Sequence, residues 1–376
     1  TRRLAYNSIE DSIPNTVNDA KQKAIKGRGA VSQPKVRFDA WTREADGDHR
    51  DFALANEEPP PFKTEIREDP ARTIISYNQS PDLPFDRSIN PYKGCEHGCI
   101  YCYARPSHAY LGLSPGLDFE TKLFYKPNAA ELLRKELSRP GYQAALLSLG
   151  ANTDPYQPIE KKLGVTRSIL EVLNEFNHPV AIVTKSALVE RDIDILAAMA
   201  KRNLARVFVS ITTLDHDISR HLEPRTSAPA RRMMAVSALS AAGIPTGGIV
   251  ARVIPALTDK DIESVLDAAK ENGAQSAAYI LVRLPHEVKT LFAKWLEQHF
   301  PQRATHVMSI IRQMRGGKDN DPNFVSRMRG EGEFAALLEQ RFRKACARLG
   351  LNQERHALDA SQFRVPQQAN AQLSLF

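Results

Sequence analysis

Between residues 88 and 298 the chain alternates short apolar runs rich in Val, Ile and Leu with stretches whose apolar positions recur every three or four residues. Short β-branched runs suit buried parallel strands, and the 3.6-residue period suits helices packed on them, so the alternation predicts repeated βα units. Six units can be traced. The first strand runs from Ser88 into a cysteine-bearing loop, with its helix over 128–138. The second is AALLSLG at 144–150 with a helix over 166–176, and the third is VAIVT at 180–184 with a helix over 190–202. The fourth, RVFVSIT at 206–212, leads to a helix over 229–242 that ends at Gly243, a residue type favoured just past a helix C-terminus. The fifth covers 246–254, after which Thr258 is expected to cap a helix reaching Glu271 and stopped by Gly273. The sixth is AAYILV at 277–282, with a helix over 287–298.

A closed eightfold barrel needs two more units, but beyond Phe300 only helical periodicity, over 305–314 and 334–349, and polar loops follow. The expected fold is therefore α/β: a partial, open (β/α)6 TIM-type barrel over 71–300, a helical C-terminal extension over 301–356 and a flexible tail over 357–376. Residues 1–70 are polar, charged and broken by proline, with EEPPPF at 57–62 reading as a stiff connector, so an extended N-terminal arm is expected. Within it, residues 26–38 combine four basic residues with two glycines, a mixture that suits either a flexible backbone approaching a phosphate or a solvated tail.

At 376 residues and 42% hydrophobic content the chain can bury a large core without disulfide staples. Of its four cysteines, three fall within eight positions and Cys346 lies far away, a distribution unlike a secreted disulfide framework and suited to a reducing cytoplasm. No apolar run approaches the roughly 18 residues of a membrane span, and the N-terminal TRRLAYNSIEDSIPN has no apolar signal core. A cytoplasmic protein without a membrane partner is expected, and because the chain begins at Thr1, a few residues are expected to precede it. The net charge of +7 favours a polyanionic partner, and eleven Lys plus Arg against six Asp plus Glu across 301–356 predict a basic face there.

The strongest chemical signal is CEHGCIYC, in which Cys95, Cys99 and Cys102 follow a C-x3-C-x2-C spacing. Three thiolates can hold three irons of a [4Fe-4S] cluster and leave the fourth open to a chelating ligand. The alternative is a zinc site of three cysteines with His97 or His108, although structural zinc usually recruits a second, separated ligand pair.

The phrases SINPYKGCEHGCIYCYARPSHAYLG, NTDPYQPIE, TKS, VSITTLD, LEPR and IPALTD stand at the ends of successive predicted strands, where βα barrels gather their active sites. Over residues 88–284 this pattern resembles the radical S-adenosylmethionine (SAM) superfamily, and most closely its spore photoproduct lyase-like group, the DNA repair photolyases. The resemblance implies a cluster that reductively cleaves SAM to a 5′-deoxyadenosyl radical, fed by a low-potential electron donor. It places Tyr101 beside the adenine, Asn152, Thr153 and Asp154 at the methionine amino group, and Lys185 at the SAM carboxylate. Ser210 and Thr212 end strand four with hydroxyls suited to ribose or carboxylate contacts, or serve simply as good strand formers; Arg225 neutralises SAM or a substrate phosphate, or forms a surface ion pair.

Spore photoproduct lyases carry a further hydrogen-donating cysteine near the end of the second strand, but the corresponding SLGANTD has none, and Cys346 is expected to be a buried helix residue outside the barrel. Tyr103 or Tyr156, beside the motifs, is the expected substitute donor. Finally, QLSLF matches the pentapeptide by which bacterial replication and repair proteins dock on the DNA sliding clamp, with Gln372 offering hydrogen bonds and Leu373, Leu375 and Phe376 an apolar anchor. The function expected is radical repair or modification of DNA bases. The alternatives are radical modification of RNA or protein, or a clamp-tethered iron-sulfur DNA-binding module without catalysis.

Overall fold

The computed structural model describes residues 26–38, 63–324, 326–353 and 357–366. The chain opens with strands β1 (Glu65–Glu68), β2 (Ile75–Tyr77), β3 (Arg87–Ile89) and β4 (Tyr92–Lys93). After the cysteine loop come α1 (Asp118–Thr121), β5 (Lys122–Tyr125), α2 (Ala129–Leu137), β6 (Leu147–Leu149), α3 (Glu160–Leu163) and α4 (Val165–Glu175). The barrel continues through β7 (Val180–Thr184), α5 (Ile193–Ala200), β8 (Ala205–Ser210), α6 (His216–Leu222), α7 (Pro229–Ala241), β9 (Thr246–Val253), α8 (Ile262–Glu271) and β10 (Ser276–Leu281). Helices α9 (Val288–His299), α10 (Pro301–Gln313) and α11 (Gly332–Leu349) complete it.

The main sheet has the order β10-β9-β8-β7-β6-β3-β2. Strands β3 and β6 to β10 are parallel, which are the six predicted units, and β2 adds an antiparallel edge. Val180, Ile182, Val207 and Val209 in the central strands are fully buried, and helix α4 lays Ile169, Leu170 and Leu173 into the same core. Burial on both faces explains why these strands read as continuous apolar runs rather than alternating ones.

Short elements escaped the periodicity. Helix α6 is too short to show a period, and it starts because Asp215 accepts hydrogen bonds from the N–H groups of Asp217 and Ile218. A small sheet of order β1-β5-β4 sits beside the barrel, so residues 65–68, expected in an extended arm, are a paired strand. Thr258 does not cap α8: its hydroxyl accepts the Ile254 N–H at 2.9 Å, and a 3-10 turn over Asp259–Asp261 precedes the helix.

The barrel is open between β2 and β10. Across that seam the Arg327 guanidinium grips Asp82 through two hydrogen bonds of 2.5 Å, joining the loop after β2 to the loop between α10 and α11. At the opposite ends of the strands, residues 351–353 and 357–366 lie against the sheet. Asn352 pairs its side chain with both backbone groups of Ala277, covering the start of the β10 edge. Asp359 N–H then bonds to Asn203 and Arg364 N–H to Phe176, so residues 357–366, expected in the flexible tail, are docked. Residues 367–376, including QLSLF, lie outside the described residues.

The expected basic face is largely neutralised: Arg312, Arg329, Arg341 and Arg348 pair with Asp319, Glu339, Glu263 and Asp267, and Arg315 is buried on backbone carbonyls. Cys346 is buried on α11 as expected. Among the described residues no helix is long and apolar enough to cross a membrane.

His178 is fully buried where the docked segment packs, 5.7 Å from the Phe363 ring and 2.9 Å from the Tyr142 hydroxyl. Burial pushes its imidazole down to about 4. The unfolded chain, with an ordinary value of about 6.5, therefore binds the proton first, so this contribution to stability is complete above pH ~6.5 and is lost as pH falls toward 4. Urea unfolding of the wild type should lose up to about 3 kcal/mol over that interval from this group. His178→Gln should start less stable at pH 7 and show a flatter profile.

Candidate active site

The cysteine loop does not continue β3 directly. The chain first donates Tyr92 and Lys93 to the small sheet, and the Cys95 N–H is tied to the Phe119 carbonyl at 2.9 Å. Gly98 adopts φ +67°, a conformation costly for residues with a β-carbon, and turns the loop between Cys95 and Cys99. The turn is held from beneath by Arg105, which is completely buried. Its guanidinium donates to the carbonyls of Gly98 (2.9 Å), Cys99 (3.0 Å), Pro115 (3.1 Å) and Gly116 (2.9 Å) and to Glu120 (2.5 Å), using all five N–H donors.

Glu120 also accepts the Gly29 and Ala30 N–H groups at 3.0 and 2.8 Å. Residues 26–38 are thus neither a tail nor a free phosphate arm; they are the outer wall of the cysteine loop. Contact is so close that a β-carbon on Gly29 would sit 1.8 Å from the Gly98 carbonyl oxygen.

Cys95, Cys99 and Cys102 line one cavity of about 470 Å³ together with Tyr101, Tyr103, Asn152, Asp154, Lys185 and Ser210. Its volume is that of a small-molecule site. Asp154 accepts hydrogen bonds from the Thr184 hydroxyl and the Lys185 N–H, both at 2.7 Å, and lies 3.3 Å from His97. Burial alone would raise its carboxyl, but the imidazole and these hydrogen bonds outweigh it and hold the group at about 2. Lys185 reaches Ser210 at 3.2 Å and stands 5.9 Å from the Tyr101 ring centroid. Asn152 lies on the cavity wall with its N–H on the Asn90 side chain at 3.1 Å.

Other predicted positions are near the cavity without lining it. The Thr153 hydroxyl is buried on the Tyr92 carbonyl at 2.9 Å. Thr212 stands behind Tyr101, its hydroxyl between Glu223 (2.6 Å) and the Ala251 carbonyl (2.7 Å). Arg225 pairs with Glu96 at 3.0 Å, the ion-pair alternative, and so is not placed to neutralise a ligand in the cavity. Tyr156 points away and donates to Asp192 at 3.0 Å, fully buried, so as a hydrogen donor it is corrected by its position. The Tyr103 phenol, in contrast, lines the cavity and donates to the Ala151 carbonyl.

From LEPR it is Glu223, not Arg225, that serves the site: it accepts the Tyr101 hydroxyl and is clasped by Arg232, which also holds the Ser210 carbonyl at 2.9 Å. Residue spacing carried no sign of Glu223, Arg232 or the Arg105–Glu120 pair, because each partner arrives from a different element. Arg252 and Arg283, also on the cavity wall, stand at or just past the ends of β9 and β10 and were findable by the rule that such ends carry chemistry.

The residues present fit an iron-sulfur cluster. Burial pushes the Cys95 and Cys99 thiols up, so their thiolates need compensating iron, and three thiols facing one space leave one iron free for a chelating ligand. The zinc alternative is disfavoured by its own candidates: His97 faces Asp154, and His108 directs Nε2 to the Lys122 carbonyl at 2.9 Å.

A profile described as Radical SAM superfamily matches residues 89–269. An uncharacterized protein of Mycobacterium tuberculosis is 34% identical over 233 residues, 61% of this chain and 68% of that one. The chain belongs to the radical SAM superfamily. As a radical SAM protein it uses a [4Fe-4S] cluster and SAM. An uncharacterized protein of Methanocaldococcus jannaschii is 27% identical over 241 residues, 64% of this chain and 85% of that one. Among solved structures, spore photoproduct lyase complexed with dinucleoside spore photoproduct matches with a TM-score of 0.55 at 17% identity, covering 76% of this chain and 80% of that one. That likeness is one of fold.

The Arg105 clamp sets a prediction. Lysine keeps the charge opposite Glu120 but has only three donors, so Arg105→Lys leaves at least two buried acceptors unpaired, at a cost of about 1–3 kcal/mol each. The variant should show a urea midpoint lowered accordingly and, after anaerobic reconstitution, clearly less iron per chain than wild type.

Proposed function

We propose that this radical SAM enzyme repairs or modifies DNA bases, with Cys95, Cys99 and Cys102 holding the cluster. The observation that carries the reading is the single cavity in which three thiols, the Asp154 carboxylate, the Lys185 ammonium and the Tyr103 phenol face one another. When bound, the cluster and SAM supply an electron and a hydrogen-abstracting 5′-deoxyadenosyl radical. The chain's own residues position that chemistry: Asp154, with the Asn152 strand end, suits the methionine ammonium, Lys185 and Ser210 suit the carboxylate, and Tyr101 offers an aromatic face for adenine. DNA as the substrate is supported by the shared fold with a lyase whose structure holds a dinucleoside lesion. Tyr103 takes the role of hydrogen donor: it lines the cavity beside Cys102, whereas the hydroxyl of Tyr101, on the other side of that cysteine, is held by Glu223 and Thr212.

Reconstituted protein with dithionite should release 5′-deoxyadenosine from SAM, faster with ultraviolet-damaged duplex DNA than with tRNA, and Cys99→Ala should abolish release. With deuterated DNA, label should appear in 5′-deoxyadenosine, and Tyr103→Phe should lower repaired product while SAM cleavage continues. No release from a fully loaded cluster would leave an iron-sulfur binding module; stimulation by tRNA alone would move the substrate to RNA.

The proposed delivery to DNA is through QLSLF, with Gln372, Leu373, Leu375 and Phe376 entering an apolar pocket of the bacterial sliding clamp. A pull-down with the clamp should lose the protein when residues 372–376 are deleted, and retained binding would remove this role. A low-potential electron donor is the remaining partner the chemistry calls for.

A further inference from the structure

The cavity wall on its β9–β10 side is cationic. Arg252 is the penultimate residue of β9, Arg283 lies two residues past β10, and Arg327 comes from the α10–α11 loop. Arg252 and Arg283 both lie against Tyr103, their guanidinium carbons 5.0 and 5.5 Å from its ring centroid. Arg327 is neutralised by Asp82 across the seam. The other two are not. Among the described residues neither has a carboxylate partner, and Arg252 meets only the aromatic face. Besides the Tyr103 ring, Arg283 reaches the Met328 sulfur at 3.7 Å, and its buried Nε has no hydrogen-bond partner among the described residues.

Guanidiniums converging on one ring repel each other, and a buried donor left unpaired is costly, so the folded protein holds an arrangement that an anion would relieve. Burial, then the charges of Arg252 and Arg327, push the Arg283 guanidinium down to about 10, which leaves it charged at neutral pH. The SAM carboxylate has its own cation in Lys185, which is directed to Ser210 and the Tyr101 ring. Planar guanidiniums match the oxygens of a phosphate, and Phe85 and Leu83, also on the wall, offer apolar surface for a base.

We propose that Arg252 and Arg283 form a phosphodiester-binding subsite that anchors the substrate strand in the cavity and presents a base toward the cysteine loop. This rests on the DNA reading above for the identity of the phosphate's carrier, while the anion subsite itself rests on the two unpaired arginines.

The test is anaerobic calorimetric titration of the cluster-loaded, SAM-bound protein with thymidylyl-thymidine, with its uncharged methylphosphonate analogue and with inorganic pyrophosphate. The wild type should prefer the charged dinucleotide by about tenfold, the scale of charge-assisted hydrogen bonds. In the Arg252→Gln, Arg283→Gln double variant the preference should fall to about one, and in the corresponding double Lys variant part of it should return. If the double Gln variant fails to load its cluster, as judged by visible absorbance, Arg252→Gln alone is read against the same ratio. Pyrophosphate binding that is lost in the Gln variant, without dinucleotide binding, would keep the subsite and remove DNA as its ligand. Equal affinity for charged and uncharged dinucleotide, a preference unchanged in the Gln variant, a parallel loss of SAM affinity, or binding of none of the three probes would overturn the subsite.

Discussion

The buried pair of Arg105 and Glu120 is the constraint on which the site depends. A three-cysteine loop must present its thiols to one side, which forces its carbonyls to the other, into the protein, where unpaired acceptors are expensive. Arg105 answers this with a fully buried guanidinium whose five donors satisfy four carbonyls and one carboxylate. Glu120 cancels the charge and uses its remaining capacity on the backbone at Gly29 and Ala30. One ion pair thereby fixes the loop and recruits a segment about ninety residues upstream.

A second buried network does the same for the aromatic side. Tyr101 is locked through Glu223, Thr212 and Arg232 to the ends of β8 and β9, so its ring orientation follows from the barrel rather than from the loop. Burial would raise the Glu223 carboxyl, but Arg232, Lys185 and its hydrogen bonds hold it below the ordinary range, so it stays a charged anchor. The charges in and around the cavity are therefore of two kinds. Glu223 and Asp154 are satisfied by protein partners, whereas among the described residues Arg252 and Arg283 have no carboxylate partner and the buried Arg283 Nε has no hydrogen-bond acceptor.

The open barrel leaves a seam at the edge of the cavity, lined by Leu83, Phe85, Arg327 and Met328. Strands β2 and β10 do not pair, and loops rather than strands bridge the gap, with Asp82 and Arg327 as the clasp. Loops can move apart without breaking the sheet, whereas a closed barrel would admit ligands only from its end.

Much of this was legible in the residues. Local patterns determined the six βα units, the cysteine triplet, the strand-end positions of Asp154, Lys185 and Ser210, and the burial of Cys346, because hydrophobic period, motif spacing and strand-end location are properties of contiguous sequence. Only the tertiary structure decided that Tyr103 rather than Tyr156 faces the cavity, that Glu223 rather than Arg225 of LEPR supports Tyr101, and that residues 26–38 and 357–366 are docked rather than free. The physical reason is common to all of these. A buried polar side chain goes where its hydrogen-bond partners are, and Ala151, Asp192, Arg232, Gly98 and Asn203 are brought within reach only when elements distant in sequence pack together.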